Sequence, residues 1–329
     1  MGKNANKIKY IVQSLLQTVI VLAVLSIAVF TIANLCPGDP LKSYYGDGAE
    51  HMSIQQRQAA EEKLGLNEGI LTRYGRWASG ALKGDMGISY KYKQPVTYVI
   101  GLFWKNTLLL GGIAYILVFG LAVLLGKFCA LREDSIADRI ICKIGVVSNN
   151  IPSYFIALLL IMFFAVRLGV LPVGGAYDYG MSNSIANRCL HLVLPVSVLV
   201  IEHLWYYAYM IRNKLIEETR KDYVLLCKAT GLSKKTILSK CCMKNIMPSL
   251  LTVMAISLPH ILGGTYVVEM VFAYPGLGTL SFESAMYKDY NMLMALTLLT
   301  GAVVVLFNML SQIAGEFLDP RMDVNEVRS

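Results

Sequence analysis

A chain of 329 residues that is 55% hydrophobic and only 16% charged, with a mean hydropathy of +0.53, is not a water-soluble domain. Its formal charge of +8 accompanies apolar stretches of membrane-spanning length, so it reads as membrane topology rather than nucleic-acid binding. A bilayer core needs roughly 20 apolar residues per helix. Six stretches qualify: Tyr10–Leu35, Val99–Phe128, Ile140–Leu168, Leu190–Ile211, Ile246–Phe272 and Met292–Phe317. The expected fold is all-α, a polytopic protein with six transmembrane helices.

The first stretch has a basic start and an apolar core too long for a signal peptide, and no small-x-small cleavage site follows it. It is read as an uncleaved helix, residues 1–35 with their basic start. CPGDP at Cys36–Pro40 ends it sharply, because proline cannot continue a helix. Residues 36–98 then have soluble character and form an external insertion. Within it Ser53–Leu64 reads as a helix capped by Ser53 and stopped at Gly65, and Ile70–Leu82 as a second, carrying Tyr74 and Trp77. GDMGIS at Gly84–Ser89 is a turn-rich connection.

Residues 99–318 hold the other five spans, and 319–329 form a short tail. The loops after spans two and four, with the N-terminus, carry Lys3, Lys7, Lys9, Lys127, Arg132, Arg139, Lys143 and a dense set from Arg212 to Lys244. The loops after spans three and five hold only Arg188 and Lys288, with Arg167 at a span end. The positive-inside rule therefore puts both termini, and the loop between spans four and five, in the cytoplasm.

That loop, residues 217–245, reads as two short helices meeting at a fixed angle. Glu217 and Glu218 are placed near the start of the first helix and Lys228 near its end, as the helix dipole favours. Gly231 closes the helix in a left-handed conformation with Leu232 packing back, and Ser233 caps the next one. An ordinary basic loop is the alternative.

Ionisable groups inside a bilayer are costly unless paired or facing water. Glu202, His203, His260 and Glu269 fall in spans four and five and are candidate pathway or gate residues. Glu202 and His203 sit about 100° apart on a helix, so they cannot both face one pore squarely; an interhelical hydrogen bond is the alternative role. Gly263 and Gly264 allow close helix approach or bending, or serve packing alone. The seven cysteines have no metal-ligand spacing. Five border the cytoplasm as reduced thiols, and Cys36 and Cys189 either form an external disulfide or stay unpaired. His191, His203 and His260 show no i, i+4 ligand pair, and the 15 methionines are apolar filler. No metal site is expected, and no catalytic residue.

Taken together, several motifs resemble the permease subunits of the dipeptide/oligopeptide/nickel class of ATP-binding-cassette importers. PGDP at Pro37–Pro40, GDMGIS, and Pro95–Val96 match the family's external segment; LPVGG at Leu171–Gly175 follows span three and HLVLPVSVL opens span four. DYVLLCKATGLSKKTILSKCCMKNIMP at Asp222–Pro248 matches the coupling loop, and GGTYVVEMVFAYPGLGTL at Gly263–Leu280, KDY at Lys288–Tyr290, Asn308 and DPR at Asp319–Arg321 complete the order. The family usually has Ala-Arg-Ala-Lys before the loop glycine, where Cys227–Thr230 stands here. Its His-Ala-Leu-Arg run is replaced by Cys241–Lys244.

The resemblance implies that the elbow seats in an ATPase subunit. Asp222 and Pro248 bound its motif, and Gly231 permits the turn. Tyr223, Leu226, Ala229 and Leu232 would supply apolar contact, and Lys228, Lys234 and Lys235 charge complementarity. Glu269 would have a structural or gating role beside the external turn. Tyr274, Pro275, Gly276, Leu277 and Gly278 would help dock an external solute-binding protein. The implied partners are a second homologous permease, two ATPase subunits, the binding protein and membrane lipid, in a bacterial cytoplasmic membrane. ATP and magnesium would belong to the ATPases, since no G-x-x-x-x-G-K-[ST] loop occurs here, and this chain would bind no cofactor. The cargo implied is peptide, with a nickel or cobalt chelate as alternative. An ion-coupled carrier using Glu202 and His203 as a proton relay, and a receptor or scaffold, are the rivals from other classes.

Overall fold

The computed structural model describes residues 2–35, 39–148 and 150–318. Cys36 with its disulfide option, the Pro37–Gly38 part of PGDP, and the DPR tail at Asp319–Arg321 lie outside the described residues. Among those described there is no β-strand, only an isolated bridge between Ile88 and Pro95. The helices in chain order are α1 (Gly2–Leu35), α2 (Pro40–Tyr45), α3 (Ile54–Lys63), α4 (Ile70–Leu82), α5 (Val96–Leu131), α6 (Ile136–Ser148) and α7 (Ser153–Leu160). They are followed by α8 (Ile185–Thr219), α9 (Asp222–Ala229), α10 (Lys234–Thr236), α11 (Met243–Val271), α12 (Leu277–Met286) and α13 (Tyr290–Leu318).

Among the described residues five helices are long and apolar enough to cross a membrane, and a bent pair counted as one span would make six. The exception is the expected straight span at Ile140–Leu168. It is divided into α6 and a second helix, Ser153–Arg167, bent by 112°. Pro152 caps the second helix and cannot continue the first. The last part of that helix, Ile161–Arg167, winds as a π-helix.

The chain divides into two compact units. One comprises residues 1–105 with 276–306. Here α3 begins with a capping box: Ser53 accepts from the Gln56 N–H at 3.3 Å, and the Gln56 side chain accepts from the Ser53 N–H at 3.0 Å. Gly65, at φ +67°, ends the segment as expected. The two sequence-distant motifs GDMGIS and KDY meet in this unit. Asp289 is fully buried and accepts from the Ser89 hydroxyl, from the Lys91 N–H at 3.2 Å, and from the Met292 N–H at 3.3 Å, so it caps α13 and pins the turn together. Asn291 donates to the Ile88 carbonyl at 3.0 Å, and a Cβ on Gly87 (φ +81°) would lie 2.8 Å from that amide. Glu283 accepts from Lys91 at 2.6 Å and from the Tyr92 hydroxyl at 2.8 Å. Burial, with that carboxylate next in effect, pushes the Tyr92 phenol well above its ordinary range. Asp289→Ala strands three donors and should cost about 2–3 kcal/mol of stability, read as a lower denaturation midpoint of the detergent-solubilised chain; Asp289→Asn should lose less.

The other unit comprises residues 106–275 with 307–329. Its helices approach closely where glycine removes the side chain. A Cβ on Gly145 of α6 would lie 2.8 Å from the Trp205 carbonyl oxygen of α8, and one on Gly126 of α5 3.0 Å from that of Ala208. Asp138, 1% exposed, receives Arg212 in a two-pronged pair, Nε to Oδ1 at 3.0 Å and Nη2 to Oδ2 at 2.6 Å, which ties the start of α6 to the C-terminal part of α8.

Candidate functional site

The expected elbow exists, and it is built as a rigid object. α9 starts at Asp222, whose carboxylate stands in the positive first turn, and Lys228 stands in the last. Glu217 and Glu218 do not open this helix; they belong to the last turn of α8. The closing turn has both bonds of a Schellman motif: Leu232 N–H donates to the Cys227 carbonyl at 3.3 Å and Gly231 N–H to that of Lys228 at 3.0 Å. Gly231 has φ +79°, and a Cβ there would touch nothing within 4 Å. Ser233 then caps α10, accepting from the Thr236 N–H at 3.3 Å. Since no clash opposes Gly231→Ala, its cost should be that of the left-handed backbone alone, about 1–2 kcal/mol. Gly231→Asn should recover part of it in a thermal unfolding series.

Glu218 holds the two sides of the elbow together. Its carboxylate is 6% exposed and accepts from Lys221 at 2.6 Å, from the Tyr223 hydroxyl at 2.9 Å and from the Asn245 amide at 3.1 Å. One buried acid therefore joins the end of α8, the first turn of α9 and the start of α11. The Tyr223 phenol is held far above its usual range, by burial first and then by hydrogen bonds to Cys242 and Glu218. Sequence reasoning missed this hub, although Glu218 and Lys221 are a legible i, i+3 pair.

The elbow's two faces differ. Tyr223, Val224 and Cys227 turn inward onto the core, while Asp222, Leu225, Leu226, Lys228, Ala229, Gly231, Leu232 and Lys235 are exposed. Leu225 and Leu226 are 63% and 68% exposed. Two assignments change accordingly. Tyr223 packs inward instead of outward, and Leu225, one helical step from Leu226 and Ala229, joins the outer apolar face. Lys234 is also occupied, since its Nζ donates to the Leu131 carbonyl at 2.9 Å and caps the end of α5. Pro248 lies inside α11 and is half-buried.

In the long helices, Glu202 Oε2 and His203 Nε2 are buried with no hydrogen-bond partner among the described residues. Gly264 faces His203, its Cβ position 3.4 Å from Nε2, whereas Gly263 faces open space and His260 is exposed. Glu269 is fully buried. The Tyr274 N–H donates to the Glu269 carbonyl at 2.8 Å. Tyr274 is 2% exposed, and burial first, with the Glu269 charge next, pushes its phenol up to about 12. Gly276 and Gly278 are buried too, and only Pro275 and Leu277 are partly open. Of the five residues expected to dock a partner, the tyrosine and both glycines are therefore buried within this chain, which leaves Pro275 and Leu277 as the accessible part of the turn. Nearby, LPVGG packs against the end of α11, where Gly175 N–H donates to the Phe272 carbonyl at 2.7 Å. A Cβ on Gly174 would lie 2.3 Å from that oxygen. His191 Nδ1 is committed to the carbonyls of Gly174 and Gly175, at 2.9 and 3.1 Å.

These features define an all-helical, multi-span membrane protein with a rigid helical elbow between two long helices. The chain belongs to the family described as the binding-protein-dependent transport system inner membrane component, matched over residues 122–324. It is 30% identical over 95% of its length to the oligopeptide transport system permease AppB of Bacillus subtilis, covering 99% of that protein. It is 29% identical, over 95% of its length and 98% of the relative, to the metal-staphylopine import system permease CntB of Staphylococcus aureus. An inward-facing structure of the MetNI methionine ABC transporter shares the fold at 19% identity, with a TM-score of 0.51 over 68% of this chain and 95% of that one. The chain is a multi-pass permease subunit of an ABC importer.

Proposed function

We propose that this permease carries di- and oligopeptides delivered by an external solute-binding protein, and that the elbow transmits the ATPase motion to α8 and α11. The single observation that supports coupling most is the pair of leucines, Leu225 and Leu226, held outward on a helix that Glu218 and the Gly231 turn keep rigid. A rigid lever with an apolar tip suits a cleft in a soluble subunit better than it suits water. On this reading both termini and the elbow are cytoplasmic. A second homologous permease completes the pathway, and two ATPase subunits bind the ATP and magnesium that this chain has no loop to hold. Glu202 Oε2 and His203 Nε2, buried and without hydrogen-bond partners among the described residues, face the pathway or the second permease, with His260, Gly263 and Gly264 beside them. Glu269 keeps a structural or gating role beside the Tyr274 turn.

Peptide is preferred as cargo because AppB and other relatives are named for peptide transport. A metal chelate is the second reading, favoured by the likeness to CntB. The test is affinity purification of the tagged chain in mild detergent, followed by uptake assays in a deletion strain with labelled peptides and with a metal–metallophore complex. Co-purification of a related permease and two ATPase subunits, with peptide-competed uptake, is the expected result. A stable chain with no ATPase attached would sink the coupling role, and competition by the chelate alone would transfer the cargo assignment.

A further inference from the structure

Two of the positions at which this sequence departs from its family pattern meet in space. Cys227 lies on the inner face of α9, and Cys241 lies fourteen residues later in the π-helical segment Ile237–Cys242. Their sulfurs are 3.6 Å apart, with Cys227 donating its S–H to Cys241. Both side chains are partly exposed, whereas Cys129 and Cys242 are buried. Lys228 and Lys240, the chain neighbours of the two cysteines, are exposed. The Cys227 carbonyl also closes the elbow, accepting from Leu232 N–H at 3.3 Å and from the Thr230 hydroxyl at 2.9 Å.

We propose that Cys227 and Cys241 form a reversible redox dithiol that fixes the elbow when oxidised by a low-molecular-weight disulfide. This inference rests on the coupling role and cytoplasmic position assigned to the elbow above. A disulfide needs its sulfurs near 2.05 Å, so the contact has to close by about 1.5 Å, a distance within reach of side-chain rotation on partly exposed residues. The hydrogen bond to Cys241, and burial after it, hold the Cys227 thiol above its ordinary range. Both sulfurs are partly exposed, and attack by Cys241 is one of two entries into the exchange. In that entry the Cys241 thiolate displaces one thiolate from the oxidant and forms a mixed disulfide. The Cys227 thiolate then attacks the Cys241 sulfur of that intermediate and releases the second half of the oxidant. Two protons leave the protein thiols and end on the two thiols released; two electrons pass to the oxidant. The product ties α9 to the segment leading into α11, across the Gly231 turn. In a reducing cytoplasm such a bond is transient, which suits a signal rather than a staple. Cys242, on the same segment, is buried against Tyr223 and core residues and is not the exchanging partner.

The test uses the full-length chain purified with the ATPase subunits it carries, equilibrated against mixtures of glutathione and glutathione disulfide. Free thiols are then trapped by alkylation, linked peptides are identified by mass, and ATP hydrolysis is measured in parallel. A Cys227–Cys241 linked peptide should appear with a two-electron dependence, vanish with dithiothreitol, and rise as hydrolysis falls. Cys227→Ser and Cys241→Ser should each remove the link and the loss of hydrolysis while turning over at the reduced wild-type rate. Cys189→Ser should behave as wild type. No linked peptide at any ratio, a link between Cys241 and Cys242 only, or a link that leaves hydrolysis unchanged would each overturn the proposal. The underlying coupling role is judged separately, in fully reduced protein, by whether Leu226→Glu releases the ATPases. If it does not, or if none co-purifies at all, that role falls while the linked peptide still reports on the thiols.

Discussion

Leu226→Glu should leave the chain folded and in the membrane but, on the coupling role proposed for the elbow, strip it of ATPase partners. The side chain is 68% exposed, so the substitution buries nothing and removes no packing. Its effect belongs to the surface that α9 offers to a partner. Burying one leucine at an interface stabilises by roughly 1.5–3 kcal/mol, and placing a carboxylate in the same apolar cleft adds a desolvation cost of several kcal/mol. A loss of about 2–4 kcal/mol corresponds to roughly 30- to 1000-fold in affinity. Leu225→Glu should act similarly. Val224→Glu should instead unfold the elbow, because Val224 is 1% exposed and packs on the core. Pull-down of the ATPase and a thermal unfolding curve, run on all three variants, separate the two effects. Retained ATPase with Leu226→Glu would mean that the outer face of α9 is not the contact.

The largest stability effect is expected at Asp138 and Arg212. Arg212→Leu leaves a carboxylate that is 1% exposed with uncharged partners, among them the Asp134 N–H at 3.0 Å and the Cys142 thiol. Removing one partner of such a pair costs about 3–5 kcal/mol, and Asp138→Leu should cost a comparable amount by abandoning the guanidinium. Combining Asp138→Leu with Arg212→Leu should recover most of the loss, because an apolar pair has no charge to desolvate. Arg212→Lys should fall between, since an ammonium cannot supply the two-pronged fork. Unfolding midpoints of the four variants in one detergent measure the coupling. If the double variant loses the sum of the single losses, the pair does not act as a unit.

Much of this architecture is legible from one sequence because membrane helices announce themselves by length and apolarity, and turns by glycine, proline and capping residues. Five of the six span positions, the Ser53 cap of α3, the bounds of α4 and the Gly231–Ser233 turn all follow from local chemistry. What escapes is long-range pairing. Asp138 reads as one more loop charge until Arg212, 74 residues on, is brought to it. The Ser89–Asp289 bond spans 200 residues. Direction is the second weakness. Of the four apolar contacts that the family resemblance implies, Leu226, Ala229 and Leu232 are exposed and Tyr223 alone turns inward. The exposed set at 222, 225, 226 and 229 follows the true 3.6-residue period. Pro152 was visible, but the bend it marks depends on α7 turning away from α6, which hydropathy cannot signal.

The π-helical segment Ile237–Cys242 preserves the angular phase of the elbow. A π-turn accommodates one more residue than an α-turn, and here that surplus lies between the Gly231 turn and α11. Ile237, Leu238, Cys242, Met243, Ile246 and Leu250 are all buried, so the wider winding keeps one buried stripe continuous through the segment. Deleting a single residue such as Ser239 would let regular winding resume with the flanking helices in nearly the same phase, whereas the same deletion inside regular α-helix swings everything upstream by about 100° around the axis, with a shift of about 1.5 Å along it. Leu225 and Leu226 would keep their aim in the first case and lose it in the second although neither had changed. The surplus residue works as slack in the winding, and a one-residue deletion at Ser239 should be tolerated in assembly far better than one inside α11.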